Sequence, residues 1–247
     1  MRQSVGDRRF LGMLTPSSNT VLEPYTAAML ADVPDVTAHF GRFKVTEISL
    51  RDQALGQFDI EPMLEAASLL ADAKVHSICW NGTSAGWLGF EQDEILCEKI
   101  TERTGVPACS AVLALNEIFE KTSVERFALV TPYLDEIQAR IVETYAGRGS
   151  ECVAERHLGD PGNFSFSEVS EATIAEMCRE VAKADGVQAI AIFCTNLRGI
   201  AVVPALEAEL GLPIYDTVAT ALWKSLKVAG VDTARVRASG RLFQEVV

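Results

Sequence analysis

Short, almost unbroken apolar runs recur along the chain, and each is followed by a stretch with helical spacing. "RFLGMLTP" (9–16), "KVHSICW" (74–80), "RFALVTP" (126–132) and "VQAIAIFC" (187–194) have the near-continuous hydrophobicity of strands covered on both faces of a parallel sheet. Between them, "PMLEAASLLADA" (62–73), "EQDEILCEKITERTG" (91–105), "SEATIAEMCREVAKADG" (170–186) and "PALEAELG" (204–211) carry helical periodicity, several ending at glycine. Alternating β and α units predict an α/β fold with mainly parallel sheet.

The pattern also repeats. "LTPSSN" (14–19) matches "VTPYLD" (130–135), and "HSICWNGTSAG" (76–86) matches "QAIAIFCTNLR" (188–198). "TGVPACSAVLALNEIFEK" (104–121) matches "LGLPIYDTVATALWKSLK" (210–227). Three matches in one order predict two pseudo-symmetric lobes, residues 1–115 and 116–247. The helix after each G-[VL]-P is a candidate to cross over, so that the C-terminal helix completes the first lobe. Ligands of open parallel sheets bind beyond the carboxyl ends of the strands. The two TP turns and the two turns holding Gly82 and Cys194 are therefore expected to face one cleft.

Composition narrows the partner. The net charge of −12 is spread along the 247 residues without a basic stripe, which argues against nucleic acid. No apolar run approaches the ~20 residues of a membrane span, and "MRQSVGDRRF" lacks a signal-peptide core. These features lead to the expectation of a soluble, cytoplasmic protein that binds a small molecule and is a possible homo-oligomer. Six cysteines without CxxC spacing, beside three histidines, predict free thiols and no metal site.

The loops after the strands carry the candidate chemistry. "TPSSNT" presents Ser17, Ser18, Asn19 and Thr20, and "NGTSAG" presents Asn81, Thr83 and Ser84. Either loop taken alone reads as a helix cap. Two such loops around one cleft read as a carboxylate site, since neither has the GxxxxGK[ST] or GxGxxG pattern of nucleotide binders. Cys194 stands at a strand end, where a following helix is expected to lower its pKa toward neutrality. His39, His76 and His157 are not repeated between the two lobes, so proton transfer at carbon is favoured over Cys–His acyl transfer. Tyr133 takes the place of Ser17 in the second TP turn and reads either as a donor to a carboxylate or enolate oxygen or as an aromatic at the lobe interface.

Together, "TPSSN", "TPY" and the strand–Cys-Thr turn resemble the aspartate/glutamate racemase superfamily. The resemblance covers nearly the whole chain and is closest to the branch holding maleate cis-trans isomerases and arylmalonate decarboxylases. It implies cofactor-independent chemistry at carbon beside a carboxylate, on a small carboxylate or dicarboxylate. By position it implies Cys194 as the catalytic thiol, with Asn19, Gly82, Thr83, Ser84, Tyr133, Asn163 and Thr195 as substrate-binding positions.

Gly82 departs from the two-thiol pattern of the racemases and isomerases, because it stands where their first-lobe cysteine would be. The single-cysteine arrangement resembles arylmalonate decarboxylases, and Gly82 is expected to leave room for a departing carboxylate or a bulky substituent. Decarboxylation of a malonate-type acid is thus the leading expectation. Maleate isomerisation or amino-acid or hydantoin-type racemisation is the alternative, and a non-catalytic carboxylate-binding protein is a second one. Asn196 and Arg198 either add polarity to the pocket or point outward, while Trp80, Trp87 and Phe90 are candidates for an apolar wall or for core.

Overall fold

The computed structural model describes residues 8–45 and 60–246. The first sheet has the order β2-β1-β3-β4, with β1 (Arg9–Pro16), β2 (Val36–Phe43), β3 (Ser77–Trp80) and β4 (Ala108–Ser110), all parallel. The second repeats that order as β6-β5-β7-β8, with β5 (Arg126–Thr131), β6 (Glu151–His157), β7 (Ala189–Ile192) and β8 (Ile214–Asp216). The α/β reading therefore holds.

Helices α1 (Leu22–Met29), α2 (Ile60–Asp72), α3 (Phe90–Thr104) and α4 (Ala111–Thr122) accompany the first sheet in sequence. Helices α5 (Asp135–Gly147), α6 (Glu171–Val181), α7 (Val203–Leu210) and α8 (Thr217–Val228) accompany the second. The two glycines of the repeat do the same thing in each lobe. Gly105 and Gly211 end α3 and α7 in the left-handed conformation, at φ 71° and 72°. The caps that start the next helices differ. Ser110 accepts the Leu113 N–H to start α4, and Asp216 accepts the Val218 N–H to start α8.

Helix α8 follows the second sheet but packs on β3 and β4 of the first. In the other direction, Phe119 of α4 packs on Phe127 of β5, with ring centroids 5.2 Å apart, and on Tyr215 of β8. Each connecting helix thus covers the opposite sheet, and the apolar core runs through both lobes. Strands β2, β4, β6 and β8 lack the long apolar runs of the four read from sequence. β2 and β6 are edge strands with mixed burial, and β4 and β8 have three residues each. In both sheets the first and third strands, where strand order reverses, aim their carboxyl ends at one cleft. Among the described residues, no helix is long and apolar enough to cross a membrane.

Candidate functional site

Four strand ends build the cleft. Beyond β1, the Ser17 and Ser18 hydroxyls donate to the Val45 carbonyl, and Asn19 Oδ1 accepts the N–H groups of Val21 and Leu22. Arg42 on β2 donates to the carbonyls of Ser17 and Asn19, both at 2.9 Å, and so clamps the loop. Beyond β3, Asn81 donates back to Leu14 and Cys79, and residues 82–84 lead into a short helical turn, Ala85–Leu88. Beyond β5, Tyr133 stands after Thr131, whose hydroxyl donates to Gln138 at 2.6 Å. Beyond β7 come Cys194, Thr195 and Asn196.

These loops are sewn together across the lobes. Asn19 Nδ2 donates to the carbonyl and hydroxyl oxygens of Thr195, at 3.0 and 3.2 Å, and the Thr195 hydroxyl donates to the Asn81 carbonyl at 2.9 Å. Asn196 Oδ1 accepts the Thr20 N–H at 3.0 Å, while its Nδ2 donates to the Asn163 carbonyl at 2.5 Å. Arg198 turns away and donates to Val169.

The cavity left between the loops is lined by Gly82, Thr83, Ser84, Tyr133, Asn163, Cys194 and Thr195, seven of the eight positions that the sequence resemblance implies. Asn19 does not line it, because its amide is committed to Thr195 and to the start of α1. Pro16, Val45, Trp80 and Trp87 complete the wall. Phe90 lies elsewhere and packs edge-on against Tyr145. Pro16 is part of the quoted TP motif, but nothing in the local pattern marks Val45 or the clamping Arg42, since β2 carries no long apolar run.

One chain of polar groups crosses the cavity. The Thr83 and Tyr133 hydroxyls share a 2.6 Å hydrogen bond, and the phenol also faces the Cys194 sulfur. The Asn196 N–H approaches Sγ at 3.4 Å. The Ser84 hydroxyl has no partner among the described residues and is free to meet a ligand. Burial holds the Tyr133 phenol well above its usual range, so it stays a neutral donor.

The electrostatics overturn one expectation. No α-helix starts behind Cys194: a turn and the 3₁₀ segment Gly199–Ala201 follow it. Burial pushes the thiol up to about 12, and the opposing donors, the Tyr133 hydroxyl and the backbone N–H groups of Asn196 and Leu197, offset only part of this. Cys194 is a protonated thiol at neutral pH.

Close by, burial also pushes the Asp216 carboxyl up to about 7 against backbone N–H groups that favour its charge. Its Oδ2 is buried without a partner. A carboxyl whose folded pKa lies above its unfolded value binds its proton more tightly in the native state, so it contributes stability at low pH that is lost as pH rises from about 4 to about 7. Melting curves of Asp216→Asn should therefore show a shallower fall between pH 4 and 8 than wild type, by up to about 4 kcal/mol for a shift of this size. An unchanged pH slope would remove Asp216 from the account.

The space at Gly82 is the second correction. A Cβ built on Gly82 would stand 1.9 Å from Cζ2 of Trp80, so the indole, and not open space, lies over the glycine. The cavity has a volume of about 300 Å³. A larger groove of about 1580 Å³ runs between α3, α4 and residues 148–150. Its rim carries Glu94, Glu117, Glu120 and Glu125, a poor welcome for a carboxylate, and it contains no thiol.

A family model described as arylmalonate decarboxylase matches residues 11–243. The chain is 25% identical to an arylmalonate decarboxylase of Bordetella bronchiseptica over 239 residues, covering 95% of this chain and 96% of that protein. It is 24% identical to a maleate isomerase of Geobacillus stearothermophilus, with 90% and 92% covered. In structure it is similar to the maleate isomerase Iso of Pseudomonas putida S16, with a TM-score of 0.88 at 21% identity, covering 97% of this chain and 99% of that one. These relatives are enzymes, and the structural likeness extends across both lobes.

Proposed function

The chain belongs to the arylmalonate decarboxylase family, and from that premise we propose that it decarboxylates a malonate-type acid with Cys194 as its single proton donor. The observation that carries this reading is the protonated, buried thiol facing a neutral phenol in the cleft. Loss of CO₂ breaks the bond between the α-carbon and one carboxylate and leaves its electron pair in an enediolate. The S–H of Cys194 then delivers a proton to that carbon, and the thiolate is reprotonated from solvent.

The cavity wall suits the two carboxylates unequally. Ser84 and the Thr83–Tyr133 pair offer hydroxyls, the kind of fixed donors that stabilise charge as it develops on an enediolate, while the Thr195 hydroxyl is spent on Asn81. Pro16, Val45, Trp80 and Trp87 offer none through their apolar faces. A carboxylate held against that wall loses its hydration, and its departure as neutral CO₂ relieves the cost. Once the thiol has given up its proton, the Tyr133 hydroxyl and the Asn196 N–H are placed to donate to the sulfur.

Isomerisation is the second reading, favoured by the likeness to the maleate isomerases. It is the weaker one. Addition to a double bond calls for a thiolate, whereas this thiol is held neutral and Gly82 carries none. Proton NMR in D₂O should separate the two. Methylmalonate is expected to yield CO₂ and propionate carrying solvent deuterium at C2, with maleate unchanged. Conversion of maleate to fumarate without turnover of any malonate would transfer the assignment to the isomerase.

A further inference from the structure

Trp80 ends β3, is 1% exposed, and occupies the first-lobe side of the cavity. Its six-membered ring lies on the open face of Gly82, with Cζ2, Cη2 and Cε2 at 1.9, 2.4 and 2.5 Å from where a side chain would begin. Phe43 packs on the indole from β2, at 5.2 Å between centroids. Behind it lies the carboxyl of Asp93 of α3, 2% exposed, near the indole N–H and Ser110. The ring is therefore packed on its face, and it fills the first-lobe side of the cavity.

We propose that Trp80 sets the size of the α-substituent, so that the substrates are malonates bearing hydrogen, methyl or hydroxyl and aryl malonates are barred. This rests on the decarboxylase reading and names its substrate class. Glycine at position 82 gives room to the indole and not to the ligand. A flat aryl group on the α-carbon would need the volume that the indole already fills, and a buried tryptophan packed on Phe43 does not yield that volume cheaply. Methylmalonate and hydroxymalonate make no such demand.

The test is a ratio, which a merely loosened fold would not move. CO₂ release from methylmalonate and from phenylmalonate is measured for wild type, Trp80→Ala and Trp80→Phe. Wild type is expected to prefer methylmalonate at least ~100-fold in kcat/KM, the upper range for discrimination by fit. Trp80→Ala should move the ratio at least ~10-fold toward phenylmalonate, with Trp80→Phe in between. If Trp80→Ala is insoluble, Trp80→Leu opens part of the same volume. Equal turnover of both acids by wild type, or an unmoved ratio in the variants, overturns the proposal and leaves the decarboxylase reading standing.

Failure of every protein on every malonate overturns the decarboxylase reading instead. Size selection is then read from calorimetric titration of propionate against phenylacetate into wild type and Trp80→Ala. A preference for propionate that Trp80→Ala removes supports the gate. A preference that Trp80→Ala leaves unchanged, equal affinities in wild type, or no binding by either protein, overturns it.

Discussion

Replacing Cys194 with alanine is expected to lower CO₂ release from a small malonate by about three orders of magnitude while the substrate still binds. A positioned proton donor is worth roughly 10² to 10⁴ in rate, and the cleft offers no obvious substitute. Burial keeps the Tyr133 phenol a weaker acid than usual. No histidine lines the cavity. The enediolate would then recombine with CO₂ or wait for a proton from water. Stereochemistry gives the second readout. With methylmalonate in D₂O, wild type should form one enantiomer of propionate deuterated at C2, because the thiol reaches one face of the carbon. Residual turnover by Cys194→Ala should give a racemate. Serine keeps a proton at the same place but is a weaker acid, so Cys194→Ser should fall between the two. Near-normal turnover and enantiopurity in Cys194→Ala would show that the proton comes from elsewhere.

Asn196→Ala is expected to be the most damaging substitution outside the thiol itself. Its amide is 1% exposed and joins the Thr20 N–H to the Asn163 carbonyl, two groups on loops from different lobes. Truncation leaves the Asn163 carbonyl buried and unpaired, at about 1–3 kcal/mol, and returns the part-buried Thr20 N–H to water. For a chain of this length each kcal/mol lowers the melting temperature by ~2–4 °C, so a fall of roughly 2–12 °C follows. Asn196 also sets the main chain whose N–H faces the Cys194 sulfur. A displacement of 1 Å at the reacting groups can cost about 10² in rate, and kcat/KM should fall further than the loss of folded protein explains. Asn196→Asp separates the two halves, since it keeps the acceptor for Thr20 and removes the donor to Asn163. Melting within 1 °C of wild type, with unchanged kcat/KM, would be evidence that the staple has no role.

Much of the fold can be read along the chain, because it rests on local properties. Apolar runs mark β1, β3, β5 and β7, since a strand covered on both faces tolerates little polarity. Glycine at 105 and 211 marks two helix ends, since the left-handed conformation excludes most other residues. The repeat adds the symmetry and points four strand ends at one cleft. The missed strands are edges or three-residue pieces, whose side chains need not be apolar in sequence order.

By itself, then, the sequence determined the two-lobed α/β architecture, the lone thiol opposite a glycine, and seven of the residues that line the cavity. Tertiary structure alone decided what those residues can do. Asn19 looks like a ligand-binding amide in its loop, but Thr195, 176 residues away, has taken its hydrogen bonds. Gly82 looks like a vacancy until Trp80 is seen lying on it. Cys194 looks activated at a strand end, yet burial holds its proton in place. Periodicity records the direction of the backbone. The rotation of a side chain and the water it keeps are set by segments brought together from distant parts of the chain, and the acidity of a thiol follows from that water.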